Sequence, residues 1–417
     1  MMAKNDAGRQ LTICGIGASA SSHVVSRLRC FAALGHRVYL VDSEDRQIEG
    51  LEVIVPPVRL CQESRIIAGL DRLSRRWLRR RLPGLTTLSL LLLPLIIRHL
   101  SADLVHIHYA YSYWAWMAAT LTRLPIVVSV MGGDILFDEQ GRPTARGRRL
   151  TLALLGRASL VTAKSEHLRH ELIRLGLAEE RTVTLKWGVD RQLFQRRETS
   201  ALRRDLGLAP SQPVIFSPRM MQPFYNIELL IEAMPHVLGQ HPAAVLLLSE
   251  HQADAQYRRQ LVALISRLDL TNNVKLIGDL KHEEMALWYS LATVAIAIPP
   301  SDGLPQSLLE AMACETPNIL SRLARYNETV EHGVSAWMVE LTPPAIAAGI
   351  SRLLADQQLC FELCKNGLAI VDRLSTFESE VLRVASAYEK MLTEEPPRLG
   401  WLERQRQRIG TILEFMS

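Results

Sequence analysis

Two carboxylates, Asp302 and Glu310, stand with seven residues between them in the segment SDGLPQSLLEAMACETP, residues 301–317. The apolar run Val294–Ile298 before it reads as a strand, Leu308–Ala313 reads as a helix, and Gly303 and Pro305 shape the turn between them. The first turn of a helix carries N–H groups with no intrahelical acceptor, and their dipoles favour an anion. Backbone over Gly303, Leu304, Pro305 and Gln306 can therefore cradle a diphosphate. Glu310, about one turn further in, can accept hydrogen bonds from ribose hydroxyls, and Asp302 on the loop from the hydroxyls of a sugar. The same string also reads as an ordinary capped amphipathic helix, so its surroundings have to decide.

The first half of the chain offers a looser set. His108 follows the apolar strand Leu104–Ile107 and sits at a strand's carboxyl end, with His106 as a competitor for any role there. Gly132, Gly133 and Asp134 follow the strand Ile126–Val130; they meet an acceptor or a sugar, or they simply turn the chain. Small residues from Gly17 to Ser22 let a ligand approach the backbone closely. His23 and Arg27, one helical turn apart just behind that loop, bind an acceptor phosphate or face solvent.

Strand-like runs alternate with helix-period segments throughout, the pattern of parallel α/β architecture. The first series has strands at Leu11–Ile16, Arg37–Val41, Leu104–Ile107, Ile126–Val130, Leu160–Thr162 and Thr182–Leu185, with a helix at His23–Leu34 capped by Ser21 or Ser22. The pattern then restarts with strands at Val214–Phe216, Ala244–Leu248, Val274–Ile277, Val294–Ile298, Asn318–Leu320 and Trp337–Val339. Helices at Asn226–Leu238, Ala255–Leu268, Glu283–Leu291 and Leu308–Ala313 separate them. The expected fold is two doubly wound, Rossmann-like lobes facing a cleft, with ligands at the carboxyl ends of strands in both. The boundaries read as 1–190, 191–385 and a helical tail at 386–417 that either crosses back to the first lobe or makes a surface contact.

With these residues in place, the chain resembles the retaining glycosyltransferases of family 4, which have the GT-B fold. Asp302 and Glu310 resemble that family's acidic–X7–acidic motif, with Asp where Glu is usual. SPRMMQPFYNIELLIEAM, residues 217–234, resembles the segment that supplies a phosphate-binding Arg, here Arg219. Trp187-Gly-Val-Asp190 with Phe194 resembles the linker signature, ARYNETVEHGVSAWMV (324–339) the loop and strand after the donor site, and HIHYAY with Gly132-Gly133-Asp134 the first lobe's strand ends. The resemblance spans residues 11 to 390. It implies catalysis by His108, Arg219, Asp302 and Glu310, donor contacts from Gly17, Arg219, Gly303, Leu304, Pro305, Gln306 and Glu310, and acceptor contacts from His23, Gly133 and Asp134. His108 would lie near the reacting carbon of the donor sugar. It further implies retention of configuration, no metal and no cofactor beyond a nucleotide-sugar co-substrate, and a glycan or lipid-linked acceptor in cell-surface polysaccharide or glycolipid synthesis. Several positions depart from the pattern: Ala18-Ser19 replace a Gly pair, Phe224 a frequent Lys, Ser249-Glu250-His251 a Gly-rich turn, and Glu315 a Gly. A missing charge-assisted hydrogen bond at Phe224 predicts donor binding weaker by roughly 10- to 150-fold. The reading that competes from another class is a catalytically silent relative acting as a scaffold in a glycan-assembly complex.

Composition sets the remaining limits. A length of 417 residues exceeds one ordinary core, and 48% hydrophobic with 22% charged residues is globular. The formal charge is +5, and only seven of the 48 basic residues are Lys, a bias that suits anionic partners. Six cysteines lie at 14, 30, 61, 314, 360 and 364 without framework or zinc spacing, which suits free thiols in a reducing compartment. MMAKNDAGRQ lacks the apolar core of a signal peptide, and the apolar run at 88–97 falls short of the about 20 residues a span needs. The loop after the first strand lacks G-x-G-x-x-G, which argues against a dinucleotide oxidoreductase. The Arg excess clusters without an aromatic platform, which argues against nucleic acid. Arg72, Arg75, Arg76, Arg79, Arg80 and Arg81 crowd a segment whose Leu70, Leu73, Trp77, Leu78 and Leu82 share a helical face. That basic amphipathic stretch predicts attachment to an anionic membrane surface from the cytoplasmic side.

Overall fold

The computed structural model describes residues 10–19, 21–42, 47–48, 50–54, 93, 96–137, 144–186, 188–303, 305–374, 377–393 and 400–416. The chain divides into two units, one formed by Met1–Leu185 with Glu378–Ser417 and the other by Lys186–Phe377. The Arg-rich segment at 70–82, Trp187 and Leu304 lie outside the described residues.

In the first unit the elements run β1 (Thr12–Ile16), α1 (Ser22–Ala33), β2 (Arg37–Val41), β3 (Glu52–Ile54), β4 (Leu104–His108), α2 (Tyr113–Leu121), β5 (Ile126–Val130), α3 (Ala145–Arg157), β6 (Leu160–Ala163), α4 (Glu166–Arg174) and β7 (Thr182–Thr184). Their order in the sheet is β3-β2-β1-β4-β5-β6-β7, and every pairing is parallel. The order reverses between β1 and β4, so loops leaving the carboxyl ends of these two strands splay apart and open a crevice there. Residues of β4 and β5 are buried throughout, as strands covered by helices on both faces must be.

The second unit follows with α5 (Ser200–Asp205), β8 (Val214–Ser217), α6 (Ile227–Gln240), β9 (Val245–Leu248), α7 (Ala255–Arg267), β10 (Val274–Leu276), α8 (Met285–Leu291), β11 (Val294–Ala297), α9 (Gln306–Ala313), β12 (Asn318–Ser321), β13 (Trp337–Val339), α10 (Pro343–Ala355) and α11 (Gln357–Arg373). Its sheet is ordered β10-β9-β8-β11-β12-β13, again with parallel pairings and with the reversal between β8 and β11. Side chains alternate strictly between two cores. Ile215, Leu246, Ile296 and Ile319 pack on one face, and Val214, Phe216, Leu247, Ala297 and Leu320 on the other.

The last two helices, α12 (Phe377–Leu392) and α13 (Trp401–Met416), belong to the first unit almost entirely. Helix α13 packs on α2 and α3. Its Glu414 accepts a hydrogen bond from Thr144 Oγ1, the residue that caps α3, and stands 3.6 Å from Arg146. Arg408 Nη2 donates to Thr120 O of α2 at 3.1 Å. The boundaries thus fall at 185/186 and 377/378, and the tail is part of the first unit's packing. Among the described residues no helix is long and apolar enough to cross a membrane.

Because α12 and α13 cover part of the first unit's core, a chain ending after Phe377 should lose that unit alone. Limited proteolysis is expected to degrade 1–185 while a fragment close to 186–377 persists; equal resistance of both would contradict the packing.

Candidate active site

The loops after β8 and β11 meet at the second sheet's reversal point. Arg219, two residues past β8, directs Nη2 to Asp302 Oδ2 at 3.0 Å and Nη1 to Ser307 Oγ at 3.2 Å. Its guanidinium lies 4.5 Å from the centre of the Tyr225 ring. Burial alone would lower the Arg219 pKa; the Asp302 carboxylate beside it more than reverses this and holds it above the ordinary value. A fixed cation thus stands at the start of α9, whose first N–H groups add partial positive charge. Pro305 is the residue before that helix, and Gln306 Nε2 reaches back to Gly188 O at 2.9 Å.

Glu310 lies one turn into α9 and is 5% exposed. Tyr289 donates its hydroxyl to Glu310 Oε2 at 3.3 Å, and the His282 ring stands 4.0 Å from Oε1. Burial raises the Glu310 carboxyl to about 7, against the lowering pull of the Tyr289 hydroxyl and of Arg219. Burial also lowers the pKa of His282, so the ring is an uncharged neighbour at neutral pH.

Three departures from the family pattern prove to have simple placements. Phe224 packs on the second unit's core, edge-on to Tyr225 at 5.3 Å between centroids. Asn226, expected inside the helix, precedes it in the left-handed region with φ of 52° and donates to Ile298 O at 2.8 Å. Glu315 is exposed with φ of 55° at the end of α9, the conformation that a glycine would take there without strain. In the third, Ser249-Glu250-His251, Glu250 pairs with Arg258 and accepts from Gly278 N, while His251 Nδ1 meets Asp279 at 2.8 Å.

In the first unit, the reversal point brings Gly17 and His108 together. A Cβ on Gly17 would come within 3.2 Å of the His108 Cβ and within 3.0 Å of Val24, so a larger residue would require these neighbours to give way. His108 is 3% exposed, and neither of its ring nitrogens has a hydrogen-bond partner. Its ring lies 4.0 Å from that of His106, centre to centre. His106 is fully engaged: Nε2 meets Ser129 Oγ at 2.8 Å, and Nδ1 meets the Tyr388 hydroxyl of α12 at 2.5 Å. Ser129 Oγ continues to Thr162 Oγ1 at 2.8 Å. Burial and the nearby Arg27 charge push His106 down to about 3, and burial, His106 and Arg27 hold His108 well below its usual value. Both rings are neutral at physiological pH. His106 is therefore a bonded support, and His108 is the ring with hydrogen-bonding capacity to spare.

Asp134 does not present its carboxylate to a ligand. It is fully buried and accepts from the N–H groups of Ala110 at 2.7 Å, Met131 at 2.9 Å and Gly132 at 3.0 Å. Burial raises its pKa in spite of these three amides. It ties the loop after β5 to the loop after β4, with Gly132 at φ 111° making the turn. Gly133 sits in that same loop, partly exposed, and His23 lies on α1. Arg27 is buried rather than solvated, and burial lowers its pKa to about 9. Sequence reasoning passed over Tyr289, Tyr225, Ser307 and Tyr388. Each sits inside a helical or aromatic-rich string that reads as ordinary core, and only the fold brings its hydroxyl or ring to a charged or polar neighbour.

Comparison with known proteins gives the family and the fold. Residues 198–369 match the family described as glycosyl transferases group 1, and residues 20–193 match glycosyltransferase family 4. A D-inositol 3-phosphate glycosyltransferase of Geodermatophilus obscurus is 27% identical over 305 residues, 69% of this chain and 67% of its own. The fold is similar to that of a sucrose-phosphate synthase from Thermosynechococcus elongatus (TM-score 0.74, 22% identity, 92% of this chain and 100% of that one). It is also similar to that of HepE from Anabaena in complex with UDP and glucose (TM-score 0.71, 20% identity, 91% and 100%).

The raised Glu310 carboxyl has a thermodynamic consequence. The folded state holds this proton more tightly than the unfolded chain, so the contribution is favourable below the ordinary carboxyl value of 4.5 and is lost as pH rises toward about 7. The loss is on the order of 3 kcal/mol. Urea unfolding of the second unit between these limits should show a downward slope with pH that Glu310→Gln lacks; parallel curves for the two proteins would refute the assignment.

Proposed function

The chain belongs to the group 1 glycosyltransferases of family 4, and from that premise we propose that it transfers a sugar, with retention of configuration, from a nucleoside diphosphate donor to a glycan or lipid-linked acceptor. The observation that carries the reading is the convergence of Arg219, Asp302, Ser307 and buried Glu310 around the start of α9, at the point where the second sheet reverses its order. A diphosphate there meets the one arrangement a leaving anion needs, a fixed guanidinium and unsatisfied helix N–H groups held before the reaction begins.

The chemistry follows from that electrostatics. As the bond from the sugar to the diphosphate lengthens, negative charge accumulates on the leaving oxygens. Arg219 and the first amides of α9 stabilise it without having to reorganise. The departing diphosphate is itself the base that takes the proton of the incoming acceptor hydroxyl, and the acceptor adds on the face that the diphosphate leaves. No side-chain nucleophile and no metal enters the proposal. Glu310 in its ionised form accepts from the donor's ribose hydroxyls, and Asp302, beside Arg219, is placed to meet hydroxyls of the sugar. Backbone over Gly303, Leu304, Pro305 and Gln306 completes the donor contacts, and Gly17 admits the donor close to the first unit's loop. His108, neutral and with both nitrogens unpartnered, is the ring proposed to meet the transferred sugar. His23 and Gly133 are proposed for the acceptor. Asp134 acts at one remove, by holding the loop that carries Gly133.

The resemblance supports a product in cell-surface polysaccharide or glycolipid synthesis, and the basic segment at 70–82 supports work at the cytoplasmic face of an anionic membrane. Phe224, half-buried against the core, and Glu315, exposed to water, leave Arg219, Asp302 and Glu310 in place, which favours the enzyme over the scaffold alternative.

Turnover of a nucleotide-sugar panel, led by UDP, GDP and ADP sugars, should identify one base with measurable transfer or donor hydrolysis. Arg219→Ala and Glu310→Ala are each expected to lower kcat/KM at least about a hundredfold, as loss of a transition-state donor does, with the folded state retained by circular dichroism. Unchanged turnover in both variants would remove the donor-site reading, and binding without any turnover across the panel would favour the silent scaffold.

A further inference from the structure

A cationic cluster lies at the amino ends of strands in the first unit's sheet. Arg157 ends α3, and Arg404 and Arg408 are one turn apart on α13. Arg157 Nη2 donates to Thr122 O at 3.4 Å and to Leu124 O at 3.2 Å, while Arg408 Nη2 donates to Thr120 O. Two guanidinium groups are thus drawn to neighbouring carbonyls at the end of α2. Arg404 is close enough for its charge, after burial, to lower the pKa of Arg157. No carboxylate pairs with any of the three among the described residues. Arg157 is 4% exposed, yet its Nη1 has no hydrogen-bond partner; the buried Nε atoms of Arg404 and Arg408 have none either.

Capping of a helix C-terminus explains part of this arrangement. Carbonyls at the end of α2 carry partial negative charge, which suits cations. That role uses one nitrogen each of Arg157 and Arg408 and none of Arg404. Guanidinium groups gathered at the end of one helix, two of them close enough to repel, with N–H groups withdrawn from water and unbonded, are a costly arrangement unless an anion completes it. Arg404 and Arg408 are only partly buried, which leaves a way in from solvent. Planar guanidinium forks match the oxygens of a phosphate group in spacing and charge.

We propose that Arg157, Arg404 and Arg408 form a binding site for a phosphate-bearing anion, separate from the proposed donor site. The loops involved, Thr122–Pro125 and Ala158–Ser159, lead into β5 and β6, so the cluster sits at the amino ends of these strands. Gly17, His108 and Gly132–Asp134 lie past the carboxyl ends of the same sheet. The phosphate comes from a soluble anion or from a lipid headgroup. Trp401 and Leu402, each 67% exposed at the start of α13 within a turn of Arg404, place apolar surface beside the cluster.

The test uses the full chain with inorganic phosphate, and separately phosphatidylcholine vesicles with and without phosphatidic acid. The proteins are wild type, Arg404→Gln/Arg408→Gln and Arg219→Ala. Calorimetric titration at constant ionic strength should show phosphate binding to wild type and to Arg219→Ala, weakened about tenfold or more in the double variant. Vesicle binding that requires phosphatidic acid and falls by a similar factor in the double variant, with or without a response to free phosphate, supports the site and identifies a lipid source. Vesicle binding equal in wild type and the double variant, with no phosphate effect, belongs to other surfaces such as 70–82 and overturns the proposal. So does phosphate binding that Arg219→Ala abolishes and the double variant keeps, or the absence of binding in every arm. Thermal denaturation of the double variant guards against misfolding; Arg404→Gln alone, which touches no capped carbonyl, repeats the measurement if the double variant is unstable.

Discussion

The contact between Arg219 and Asp302 is what the proposed donor site depends on. It joins the loop after β8 to the loop after β11, two strands adjacent in the sheet, through residues 83 positions apart in the chain. Neither side chain is more than one-seventh exposed, so each needs the other. A guanidinium left unpaired there would cost several kcal/mol, as would the carboxylate. Their pairing fixes the cation against Tyr225 and Ser307 at the start of α9 before any ligand arrives. Preorganisation of this kind separates a site that stabilises an anion from a surface that merely attracts one.

The first unit solves a different problem. A neutral imidazole with unused nitrogens has to be kept at a strand end without being pulled into the surrounding polar groups. His106 takes those groups instead. Its two nitrogens are occupied by Ser129 and by Tyr388, which leaves the ring packed against that of His108, tilted by 31°, as an uncharged support. One of these two partners comes from α12, beyond the whole second unit in sequence. The tail therefore does more than cover apolar surface: it supplies the hydroxyl that fixes the orientation of the supporting ring.

Much of this was legible in the sequence. Strand limits at Arg37–Val41, Ile126–Val130 and Trp337–Val339 coincide with the structure, because short apolar runs bounded by Gly, Pro or Asp have few other places to go. The acidic pair Asp302 and Glu310 was readable because its spacing encodes a loop and one turn of helix. Three features were not readable. The short strand β3 carries no strong apolar pattern, and its Glu52 is exposed. Asp134 looked like a ligand because a Gly-Gly-Asp turn has the same sequence whether its carboxylate faces outward or closes on three amides. The arginines of α13 belonged to a tail that read equally as crossing back to the first lobe or as making a surface contact, and their convergence with Arg157 depends on how α13 crosses α2 and α3. Spacing along one helix reports a face; it does not report what lies opposite.

Phe224 changes the charge available to the proposed donor site. With a lysine in that place, the proposed donor site would hold two cations against one carboxylate. Here Arg219 and Asp302 nearly cancel, and the residual attraction for a diphosphate has to come from the amides of α9. Such a site depends less on ionic strength than one built on surplus charge, because partial charges on a fixed backbone act only at contact distance. It also depends more on the position of α9 itself. That position is set by Gln306 bonded to Gly188, by Arg191 bonded to Ala313 O and by Glu310 lodged against Tyr289. Burying Glu310 at the cost of its raised pKa is then part of the same design: the carboxylate that would read a ribose also anchors the helix whose amides would hold the phosphates.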